Sequence, residues 1–292
     1  MDGLAPVDAL TLLAIAAKAA GYGAALLAMG GVLFVVLFAR QADPSVLRLA
    51  RRIAALAALL GLAILAARFG IRAVRISGVG WDGATDPMML GFVWQSPLGT
   101  AAIWRGAGEA AILAILLQGA GRWIALGGTL AVAVSYTQVG HTLGDPRWAL
   151  AGLLTAHLLA ASIWVGALAP LHRAARTPDG AELLHRFGIV AAGGVVILAA
   201  AGVGLAWLLS GSVSALLGTA YGLGLLAKVA VVTGLLGLAA LNKWRLVPAL
   251  RRADPVAARS LRHSIAVEGT AVLLILLLTA TITTVTTPPV NL

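Results

Sequence analysis

Eight long apolar runs, separated by short polar stretches, divide the chain at roughly 8–38, 51–73, 99–119, 122–140, 148–170, 187–210, 218–241 and 264–286. None shows the strict alternation of a half-buried strand. A membrane barrel needs alternating segments of about ten residues. Backbone groups in hydrocarbon must be satisfied within their own segment, so runs of this length predict transmembrane helices. The expected fold is an all-α integral membrane protein, an eight-helix transmembrane bundle.

Two short sequences recur in matching span order. Leu98-Gly99-Thr100-Ala101 returns as Leu217-Gly218-Thr219-Ala220, opening spans three and seven. Ile124–Thr129 is echoed by Ile265–Thr270, opening spans four and eight. This predicts two parallel four-helix repeats, related by an axis along the membrane normal. Residues 1–121 hold spans one to three of the first repeat, 122–147 complete it with span four and its outer loop, and 148–292 form the second.

Composition supports lipid as the solvent. The chain is 60% hydrophobic and 11% charged, with mean hydropathy +0.97, against about 25% charged residues in soluble domains. The net charge of +10 does not indicate a nucleic-acid partner, because the basic residues lie in short loops between spans. The loops after spans one, three, five and seven carry 14 of the 21 Lys and Arg. The positive-inside bias predicts a cytoplasmic location for those loops and puts both termini outside. Arg68, Arg72, Arg75, Arg105 and Arg147 count to the outer side. The outer segment 74–98 carries Trp81 and Trp94, as an interfacial belt would, together with Met88 and Met89.

Charged groups in hydrocarbon cost roughly 2.5–3.5 kcal/mol on insertion scales, so each is a functional candidate. Lys18, Glu109, His157 and Lys228 each lie about ten residues into a span and are expected to share one layer near the midplane. Glu109 either pairs with Lys18 or Lys228 as a staple, or joins them in a charge relay. Glu268 is expected one turn into span eight, as a helix-start or interface charge that could extend the relay. His172, His185 and His263 fall in basic loops. His141, at the outer end of span four, and His157, deeper in span five, are candidate metal ligands. Cysteine is absent, so thiolate sites are excluded, and a soft-metal site would use Met and His. Imidazole suits copper, zinc and iron, and thioether suits Cu(I). Met88, Met89, His141 and His157 therefore form a candidate copper route.

The stretch Gly140-His141 followed by His157–Gly166 resembles the histidine-bearing core of the CopD family of bacterial inner-membrane copper resistance and homeostasis proteins. So do the later segment with Lys228, Asn242, Arg245 and Pro248 and the last with Glu268 and Pro288-Pro289. The strongest resemblance runs from about 136 to 289. DPMML and SPLGTAAIWRGAGEA are the recognisable pieces of a more variable first half. The resemblance implies non-enzymatic copper transport, in the direction of uptake from the periplasm. It also implies a separate periplasmic copper carrier of the CopC type as partner, and metal roles for His141 and His157. The alternative from the residues alone is a haem-binding redox protein with histidine axial ligands.

Overall fold

The computed structural model describes residues 7–117, 119–252, 254 and 256–289. It is helical, with no β-strand among the described residues. Helix α1 is Ala9–Phe38, α2 is Pro44–Ser77, α3 is Pro87–Gln95 and α4 is Pro97–Ile112. Then come α5 (Gly121–Ser135), α6 (Arg147–Ala174), α7 (Gly180–Ser210) and α8 (Val213–Gly218). Helix α9 (Ala220–Leu241) continues through a π-helical turn, Asn242–Leu246, into α10 (Val247–Arg251), and α11 is Ala257–Val285.

Local chemistry sets the boundaries. Asp43, Asp86 and Ser96 each cap a helix with a side-chain oxygen and are each followed by proline at the first helical position. Proline there loses no hydrogen bond and carries the right φ. Asp8 caps α1 and Thr219 caps α9. Gly78 and Gly211, both at φ 70°, end α2 and α7 in the left-handed region that glycine alone enters freely.

Among the described residues, six helices are long and apolar enough to cross a membrane: α1, α2, α6, α7, α9 with α10, and α11. The other two expected spans are shorter. Helix α4 gains a 3₁₀ turn at Leu113–Leu116, and α5 gains one at Tyr136–Gln138.

Helix α1 is the centre of the bundle, packed on α2, α4, α5, α6 and α11. It crosses α6 with the two backbones in contact. A Cβ on Gly30 would overlap the Ser162 carbonyl, and one on Gly166 would overlap the Gly30 backbone. Helices α4 and α5 meet the same way, where a Cβ on Gly108 would lie 2.8 Å from the Gly128 carbonyl. Small residues let membrane helices approach this closely. Helices α7 and α9, by contrast, are almost entirely unburied by protein. The start of α1, the ends of α2 and α11, and the α5–α6 turn share one face of the bundle. We call this the N-terminal face, and the opposite one the basic-loop face.

Candidate functional site

The groups expected to share one midplane layer fall into separate clusters. Lys18 donates to the Thr283 carbonyl at 2.7 Å and reaches Thr284 Oγ1 at 3.4 Å. Those residues form the last turn of α11, so Lys18 belongs to the N-terminal face. The side chain of Tyr22, one turn further along α1, contacts Thr283 Oγ1 at 3.3 Å.

Glu109 lies deeper, against the middle of α2. Its side chain is fully buried, and a Cβ on Gly61 would collide with the carboxylate. Neither carboxylate oxygen has a hydrogen-bond donor. Its nearest cation is neither Lys18 nor Lys228 but Arg105, one turn earlier on α4, with Nη1 3.9 Å from Oε1. Arg105 is itself buried. Its Nε donates to Ser135 Oγ at 2.9 Å, and its guanidinium lies 3.8 Å over the Tyr136 ring. The expectation that Arg105 is an outer-side charge is therefore corrected. The i,i+4 spacing to Glu109 is the signal that identifies its role. Arg75 does reach the N-terminal face, where it donates to Thr11 at 3.1 Å.

The expectation for Glu268 is also corrected. Helix α11 begins at Ala257, seven residues before the expected edge of the span, so Glu268 lies three turns in and is buried. Trp164 Nε1 of α6 donates to Oε2 at 3.0 Å, and Asn242 Nδ2 donates to Oε1 at 2.5 Å. Asn242 opens the π-helical turn, a feature that recurs at functional sites.

The histidines occupy two levels. Gly140, at φ 73°, turns the chain so that His141 leaves the end of α5 and packs edge-on against Tyr221 of α9, with ring centroids 6.4 Å apart. His141 lies outside the spans, and burial holds its imidazole below the ordinary histidine pKa, with the charge of Lys18 adding to the effect. A lowered pKa means that the ring stays neutral, and competent to bind a metal, down to more acidic pH. In proteins with ring-labelled histidine, the signal lost in His141→Gln should titrate below the midpoint of free imidazole. A midpoint at or above that value would remove this argument.

His157 lies ten residues into α6, about 15 Å below its start. Its Nδ1 meets the Leu198 carbonyl of α7 at 3.1 Å. A carbonyl only accepts, so Nδ1 carries the proton and Nε2 keeps its lone pair. Fixing one ring nitrogen by a hydrogen bond is how proteins orient a metal-ligating histidine. Lys228 of α9 is half-buried and lies within electrostatic range of His157.

Met88 and Met89 lie in the first turn of α3, with Met88 exposed. Helix α3 packs on α2 and α4, whereas the turn bearing His141 packs on α6. The methionine pair and the histidines are thus carried by different parts of the bundle. Among the described residues, no three His, Cys, Asp or Glu side chains form a group able to hold a metal.

A bundle of long apolar helices with a few ionisable groups enclosed between them defines a multi-pass helical membrane protein. Residues 9–146 match the family model described as copper resistance protein D-like, N-terminal domain, and residues 181–282 match that of copper resistance protein D. The chain belongs to the copper resistance protein D family, and is thereby a membrane protein of copper resistance and homeostasis. The match reaches through the first half, beyond the pieces recognisable in sequence, and leaves out 147–180, the stretch of α6 that carries His157 and Trp164. Comparison with curated proteins and comparison with solved structures each gave no match.

Proposed function

We propose that this protein carries copper across the bacterial inner membrane, from the periplasm toward the cytoplasm, with His141 and His157 as successive imidazole stations. The observation that carries the reading is the orientation of His157. Its Nδ1 is committed to a backbone carbonyl, which leaves the Nε2 lone pair free to bind a metal. His141 stands above it at the N-terminal face. Met88, exposed on that face, and its neighbour Met89 are thioether contacts for copper arriving on a separate periplasmic carrier of the CopC type.

In this reading, α4 and α5 with their 3₁₀ extensions complete eight crossings, since about twenty residues of α4 and its turn reach roughly 30 Å. The helix pairs α3–α4 and α8–α9 support the two parallel repeats. In each, a short helix meets a long one at a corner where a glycine is pressed on the carbonyl of the preceding helix, Gly99 on Trp94 and Gly222 on Leu216, a register four residues from the one in which the recurring sequence pairs Gly99 with Gly218. The basic-loop face is cytoplasmic, and both termini are periplasmic.

The test combines cells and purified protein. At limiting copper, cells lacking the chain should accumulate less copper, and His157→Ala should not restore uptake. Purified wild type should hold copper that His157→Ala loses. Unchanged copper accumulation in the deletion strain would sink the transport reading. A Soret band removed by His157→Ala would replace it with haem ligation.

A further inference from the structure

The two buried carboxylates differ in what faces them. Glu109 has Arg105. Glu268 has two neutral N–H donors, one on each oxygen, and no ion pair among the described residues. Each oxygen receives one hydrogen bond, which fixes the carboxyl in place. With no counter-charge beside it, its ionised form is expensive inside the bundle unless a cation visits it.

The neighbouring groups are suited to such a cation. Asn242 and Ser264 are 7% and 5% exposed, and Asn242 Oδ1 and Ser264 Oγ have no hydrogen-bond partner among the described residues. Ser264 precedes Glu268 by one turn, on the same face of α11. Asn242 is held against that face by its own bond to the carboxylate. The place also lies on a line. Trp164 follows His157 by seven residues on one stripe of α6, about 10 Å nearer the basic-loop face. Next comes an open groove of about 400 Å³, lined by Leu168, Ala169 and His172 of α6, by Ile265 and Ala266 of α11, by Leu49 of α2, and at its basic rim by Arg173 and Arg176. Ile265 and Ala266 lie between Ser264 and Glu268 in sequence.

We propose that Glu268, Asn242 and Ser264 form an oxygen-donor cation site, positioned by Trp164, that receives Cu(II) below His157 and releases it toward the His172 groove. The assignment rests on the reading of His157 as a copper station. Carboxylate, amide carbonyl and hydroxyl oxygens favour the cupric ion, whereas Cu(I) prefers sulfur. One carboxylate cancels part of the charge of the ion, and the two unpartnered oxygens gain a partner.

The test uses the full chain in lipid nanodiscs with Cu(II) chloride as the probe, read by metal content and electron paramagnetic resonance. Wild type should bind Cu(II) in two spectral populations. Glu268→Gln should lose the oxygen-rich population and keep the nitrogen-rich one, and His157→Ala should do the reverse. Should Glu268→Gln fail to fold, Trp164→Phe and Ser264→Ala keep the carboxylate. The loss of a supporting group in either should weaken the oxygen-rich population about 10- to 100-fold. Loss in His157→Ala with an unchanged Glu268→Gln spectrum would overturn this site alone. A wild type that binds no Cu(II) would overturn this site, and one that binds neither Cu(II) nor Cu(I) would overturn both readings. A carboxylic-acid infrared band absent only in Glu268→Gln, with copper binding unchanged, would assign a proton to Glu268 and overturn the cation assignment.

Discussion

Arg105→Ala should destabilise the folded protein by about 3–5 kcal/mol, the cost of leaving a buried charge without its partner. The expectation follows from how little else faces Glu109. Its side chain is fully buried, it accepts no hydrogen bond, and Gly61 of α2 closes the space beside it. With Arg105 removed, no other described residue forms an ion pair with the carboxylate. Arg105→Ala also frees Ser135 Oγ from its guanidinium and uncovers the Tyr136 ring. The paired change Arg105→Met with Glu109→Leu removes both charges and should recover most of the loss, because replacing a buried pair by apolar residues is often neutral. Denaturant-driven unfolding in detergent micelles, followed by tryptophan fluorescence, measures both. If Arg105→Ala lowered stability by less than 1 kcal/mol, the pair would carry no structural weight.

Gly30→Ala should separate α1 from α6 and reduce the amount of folded protein sharply, although only one methyl group is added. Overpacking ordinarily costs about 1–3 kcal/mol, occasionally more. Here the methyl meets backbone on α6, the Ser162 carbonyl and the Gly166 backbone, and not a side chain that could turn aside. Gly166→Ala should act in the same direction, since its Cβ would meet the Gly30 backbone. Gly127→Ala and Gly152→Ala are the controls, because nothing lies within 4 Å of a Cβ at either position. Thermal denaturation read by size-exclusion chromatography should show both crossing variants aggregating well below wild type and both controls unchanged. Equal behaviour of all four would mean that the crossing is loose.

The apolar runs predicted the helices well, because length and hydropathy are set by the bilayer and hardly by neighbours. Edges were less legible. Polar residues at a span end continue a helix as readily as they end it, so α2 runs to Ser77 and α11 starts at Ala257. That misplaced edge is why Glu268 looked superficial. Depth along a helix was readable at His157, but direction around the axis was not. Sequence could not show that Glu109 faces Gly61, that Lys18 reaches the final turn of α11, or that Met88 lies on a helix packed away from His141. Trp164 and Asn242 could be quoted as motif members, yet their meeting on one carboxylate depends on a π-helical turn that leaves no periodic trace in the sequence.

The central position of α1 has a consequence for how the protein is made. This helix enters the membrane before α2 to α11, yet its contacts are spread far along the sequence, out to Thr283, 265 residues beyond Lys18. Only α2 is inserted soon enough to shelter it promptly, so for most of translation α1 waits in lipid with its small-residue face and Lys18 unmatched. Translocation factors that shield young helices should therefore hold α1 until α6 and α11 arrive. Arrest of the ribosome just before α11 should trap it there.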